Sequence, residues 1–61
     1  MLDREKLLEN IPDVPKKGTL RRLILQLPEE NFIEKFFRAV VKNDIPIPEE
    51  FWALIFKTVH S

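Results

Sequence analysis

Five prolines, at positions 12, 15, 28, 46 and 48, set the terms on which this 61-residue chain can fold. A proline inside a helix removes a hydrogen bond and clashes with the preceding turn, and it drives the residue before it into extended backbone. The stretches left between these breaks carry apolar residues at helical spacing. The expected fold is therefore all-α, a small bundle of three to four short helices at about 3–11, 19–27, 28–43 and 48–60. It forms one domain over 1–61, with a Pro-rich linker at 11–18 and the C-terminal helical hairpin as core.

Each expected helix has local start and stop signals. Asp3 suits the N-cap of the first, with Leu2 and Leu7 placed as a hydrophobic staple around it. Leu7, Leu8 and Ile11 give it only a narrow apolar stripe, so it must dock to persist. Pro12 and Pro15 stop it and give the linker polyproline character, and Gly18 then permits a turn. Thr19 is the expected cap of the second helix, which shows Leu20, Leu23, Ile24 and Leu27 on one face. Asn43–Asp44 followed by Pro46 and Pro48 ends the third helix.

A near-repeat stands out within this pattern. LPEENFIEKF, from Leu27 to Phe36, and IPEEFWALIF, from Ile47 to Phe56, lie twenty residues apart. Proline is favoured at the first helical position, and glutamates in the first turn complement the helix dipole. Glu30 and Glu50 fall at the third helical position, able to reach back to the cap. The pairs Phe32/Phe36 and Trp52/Phe56, four residues apart, share a face. The repeat reads as a helix start written twice and not as a catalytic carboxylate pair.

Size makes the apolar content significant. A chain of this length buries only about 60% of its unfolded surface, and domains so small usually lean on disulfides, metal or a partner. Cysteine is absent and the one histidine is His60, so neither a disulfide nor a structural zinc site is available. Yet 44% of residues are hydrophobic. The third and fourth helices each carry an apolar arc over about half the cylinder, where one-sided burial needs a stripe of about 100°. Contiguous exposed apolar surface marks a partner site. The expectation is a homo-oligomer, most simply a two-fold dimer, joined through Phe36, Phe37, Phe51, Trp52 and Phe56.

Other chemistries have less to stand on. Lys16, Lys17, Arg21 and Arg22 form the one concentrated charge cluster, a candidate site for an anion or an acidic partner, although cations at a helix N-terminus oppose its dipole. Residues 20–40 have the outline of a helix-turn-helix, which makes a small DNA-binding transcription regulator the competing reading. Glu29 and Glu30 would then face the phosphate backbone, and a formal net charge of zero lacks the usual basic surplus. Pro12 to Pro15 matches a short PxxP pattern, better explained as a helix stop. The fourth helix lacks the cationic face of an interfacial membrane helix. No run is long and apolar enough to span a bilayer, and the charged N-terminus does not read as a secretory signal, so a soluble cytoplasmic protein is expected.

No catalytic residues, metal ligands or cofactors are expected. Ser61 and His60 share a chain end that positions neither, and Gly18 alone makes no phosphate-binding loop. The functional expectation is a non-enzymatic protein–protein interaction or regulatory module, an adaptor, inhibitor or assembly factor. It would act through an aromatic helical face on itself or on a larger protein.

Overall fold

In the computed structural model, which describes residues 2–60, four helices form: α1 (Arg4–Glu9), α2 (Lys17–Gln26), α3 (Phe32–Lys42) and α4 (Glu49–Val59). Among the described residues there is no strand. α1 packs on α2 and α4, and α3 packs on the same two, so the helices close a ring in which each has two neighbours. The radius of gyration is 10.3 Å, against about 10.5 Å for a fully compacted chain of this length. The chain has therefore collapsed on itself, and no helix stands away from the rest.

The core is shared by all four helices and is not confined to the C-terminal hairpin. Leu7 of α1, Leu20 and Ile24 of α2, Phe32 and Phe36 of α3 and Ile55 of α4 are completely enclosed. Leu2, Val40, Ile45 and Phe51 complete the cluster. Docking explains how six-residue α1 survives, since Leu7 is inside and the Asp3 carboxylate accepts the Lys6 backbone N–H at 3.1 Å. Leu2 and Leu7, flanking that cap, are both buried as a staple requires. Thr58 is the one buried polar residue among those described. It lies three residues after Ile55 and seven after Phe51, on the same face of α4.

Several helix starts differ from the sequence reading. α2 begins at Lys17 with Lys16 as its N-cap, so Thr19 lies inside the helix and caps nothing. Gly18 is helical and makes no use of left-handed backbone. The linker before it is not an open polyproline stretch. The Val14 N–H donates to the Pro12 carbonyl and the Lys17 N–H to that of Val14, folding the segment against the core with Ile11 and Val14 packed on it.

The near-repeat does not fold alike in its two copies. Pro48 is the N-cap of α4, one position earlier than expected, and Glu49 and Glu50 occupy its first turn. In the first copy Leu27 is extended, as the residue before proline should be, and Glu29–Asn31 form a turn outside the helix. Asn31 caps α3 in left-handed backbone (φ 56°, ψ 34°), a conformation that Asn tolerates better than most residues. The offset start changes which side chains face inward. Phe32 and Phe36 are buried in α3, whereas α4 buries Phe51 and Ile55 and turns Phe56 to solvent.

Helix ends are sealed by specific contacts. At the end of α3, Asp44 adopts φ 52°, its N–H donates to Val41 O, and the Ile45 N–H donates to Val40 O. This is a Schellman closure with an Asp where Gly is usual, and its apolar partners Ile45 and Val40 are both buried. At the end of α2, Arg4 donates from Nη1 to the Ile24 carbonyl and from Nη2 to the Leu27 carbonyl. The guanidinium also sits 5.9 Å from the centre of the Phe32 ring. One side chain of α1 thus satisfies orphan carbonyls of α2, complements that helix's negative end and covers the start of α3.

Two stability changes follow from these closures. Arg4→Ala should lower unfolding free energy by about 1.5–3 kcal/mol, the range for hydrogen bonds to charged groups. Asp44→Gly should raise it by up to about 1 kcal/mol by relieving the left-handed strain. Urea denaturation followed by circular dichroism reads both, and an unchanged midpoint for Arg4→Ala would contradict the sealing role.

Candidate interaction surface

The side chains that α3 fails to bury follow from its helical register. Phe32, Phe36 and Val40 point inward at four-residue intervals. Ile33, Phe37 and Val41, each one residue later, lie about 100° around the helix from that stripe. Ile33 is half-buried, while Phe37 and Val41 are 57% and 63% exposed. α4 repeats the arrangement, burying Phe51 and Ile55 and leaving Phe56 61% exposed with Trp52 half-buried between.

The two outward sets join across the seam of the α3–α4 hairpin. Trp52 stands edge-on to the buried Phe36 ring at 5.6 Å and tilts against the exposed Phe37 ring at 5.7 Å. It bridges core and surface. Further along, Ile33, Phe56 and Val59 line a shallow open depression of about 470 Å³ that Glu29, Asn31, Glu34 and His60 also border, the His60 ring lying 4.4 Å from that of Phe56. Phe37 and Val41 line a second one with Glu34 and Arg38. Glu34 and Arg38, one turn apart, make the ion pair at 3.2 Å, with both side chains largely solvated. The surface is therefore an apolar band with a mixed-charge flank.

No family model matches the chain, and comparison with curated proteins and with solved structures found no match. What the molecule can do is read from this surface alone.

Of the five aromatic residues assigned to a partner contact, the structure divides the set. Phe36 and Phe51 are core residues, at 0% and 4% exposure, and cannot reach a partner without unfolding. Phe37 and Phe56 present their rings to solvent, and Trp52 is half-buried. Val41 and Ile33 belong to the same band, though reading aromatics alone overlooked them. Their spacing of four residues about Phe37 was the available signal.

One member of the basic cluster is engaged within the fold. Lys16 donates from Nζ to the Asn43 carbonyl at 2.6 Å, so this cation serves the C-terminal end of α3. Lys17 and Arg21 share an exposed face of α2, with Arg22 about 100° away around the helix. The three enter no ion pair among the described residues. Exposed Leu25, one turn beyond Arg21, adds an isolated apolar residue there. For a helix-turn-helix reader, the start of α3 would have to meet DNA. That end presents exposed Glu29, Glu30 and Glu34, and its first residue, Phe32, is buried.

Among the described residues no cluster of His, Cys, Asp or Glu is placed to hold a metal ion, and no helix is long and apolar enough to cross a membrane. The His60 ring lies tilted against that of Phe56, and Ser61 lies outside the described residues.

This division of core from surface is testable in one comparison. Phe36→Ala should cost about 3–5 kcal/mol, enough to unfold a domain this small. The double change Arg21→Ala/Arg22→Ala should stay within about 0.5 kcal/mol for each site. Thermal melts of the two variants decide it, and loss of fold in the arginine variant would contradict the assignment.

Proposed function

We propose that this chain is a non-enzymatic protein–protein interaction module that works through the apolar band on α3 and α4 and assembles with copies of itself. The observation that carries the reading is the exposure of Phe37, Val41 and Phe56 on helices that otherwise bury their large side chains well. A fully exposed aromatic side chain offers about 150–250 Å², so these three residues leave roughly 300–400 Å² of apolar surface in water. At about 25 cal/mol per Å², that surface forgoes several kcal/mol of burial, comparable with the whole stability of a small domain. A surface kept at that cost is best explained by something that covers it.

The size of the band suits an interface core. A standard interface takes about 800 Å² from each partner, of which somewhat more than half is apolar. The exposed band with the outward parts of Ile33 and Trp52 comes close to that apolar share. Set against a total accessible surface of 4381 Å², the whole footprint would be about a fifth of the molecule. Lys17, Arg21 and Arg22, exposed and without an ion pair among the described residues, are the groups available to an acidic surface on a larger partner.

Sedimentation velocity of the purified protein from 10 μM to 1 mM tests this reading. The wild-type chain should populate a dimer or larger species across that range. Phe37→Ser/Phe56→Ser, which alters exposed positions only, should stay monomeric with its helical content intact. A wild-type chain that is monomeric throughout would remove the self-association reading.

A further inference from the structure

We infer that the partner of the band is a second copy of this chain, packed antiparallel along α3 about a two-fold axis at Phe37 and held in register by reciprocal Glu34–Arg38 pairs. The inference rests on the interaction reading above and specifies its occupant and geometry.

The argument begins with the order of residues on the free face of α3. At 100° per residue, Ile33, Phe37 and Val41 fall within an 80° stripe, and Glu34 and Arg38 lie together on one flank of it. In a two-fold contact, if residue i meets residue j then j meets i. With the axis at Phe37, the two Phe37 rings meet each other. Ile33 then faces the partner's Val41, because both lie four residues, or about 6 Å, from the axis. The apolar stripe is thus palindromic in size, aliphatic–aromatic–aliphatic, and covers itself without a gap.

The charges obey the same symmetry. Antiparallel helices related by a two-fold bring like flanks together, so Glu34 and Arg38 of one copy meet the same flank of the other. Glu34 lies three residues before the axis and Arg38 one residue after it. Reversal of the partner therefore leaves about 3 Å of axial offset between Glu34 and the partner's Arg38, well within the reach of two long side chains. The pair is already adjacent within one copy, at 3.2 Å and largely solvated, so it can be shared across the seam without exposing either charge to an apolar surface. A parallel two-fold would carry the Glu34/Arg38 flanks of the two copies to opposite sides of the seam, where they could not pair with each other. The whole chain carries no net charge, so no long-range repulsion opposes the encounter of two copies.

Charge reversal at these two positions distinguishes this geometry from self-association of any other kind. Chains carrying Glu34→Arg and chains carrying Arg38→Glu should each lose dimer affinity at least tenfold, because each places like charges opposite one another twice. An equimolar mixture should recover a one-to-one dimer, since every reversed charge then meets its complement. Circular dichroism confirms that both single variants remain folded, and sedimentation equilibrium with one chain fluorescently labelled reads the species. Wild-type dimers with undiminished dimerisation of the single variants, or a mixture that fails to rescue, overturn the register and leave the interaction reading standing. A wild-type chain monomeric at 1 mM overturns the register and the self-association reading together.

Discussion

None of the four helices is long enough to persist by itself. They contain 6, 10, 11 and 11 residues, and isolated helices below about 12–15 residues are marginal in water. Everything else in the structure answers that shortage. Each helix lends at least one side chain to a common interior, and the ring arrangement gives each of them two supports. With no cysteine in the chain and no metal-holding cluster among the described residues, mutual burial carries nearly all of the cohesion.

Short helices also have proportionally more ends, and ends expose backbone groups without partners. The chain meets this with side chains borrowed from elsewhere in the fold. Arg4 closes α2 from α1, and Lys16 closes α3 from the start of α2. Asn10 and Asn43 each turn back onto a carbonyl four residues earlier. Ion pairing between side chains contributes little by comparison, since Glu34–Arg38 is solvated and worth a few tenths of a kcal/mol within one helix. The polar chemistry that matters here is directed at backbone.

How much of this was legible in the sequence depends on the range of the interaction. Some local signals read correctly, the Asp3 cap and the Asn43–Asp44 stop among them, whereas Thr19, Gly18 and Pro48, equally local, do not take the positions expected of them. Asn31 was also legible in principle, as a residue that tolerates left-handed backbone, but the stronger resemblance between the two Pro-Glu-Glu stretches masked it. Periodicity gave the apolar arcs of α3 and α4 without saying which part of each arc meets the core. That choice is made by the positions of α1 and α2, so Phe36 and Phe51 could not be separated from Phe37 and Phe56 beforehand. Arg4 acts on carbonyls 20 and 23 residues away, and no local pattern marks such a contact.

The packing of α1 on α4 has a consequence for how the molecule is made. Of the four helices, the first to be translated has as one of its two supports the last. At about 5–20 residues per second the interval between them is a matter of seconds, during which Leu7 and its neighbours have only half of their eventual shelter. Closure of the ring must therefore wait until α4 has been made, so the four helices fold as one unit and not piece by piece.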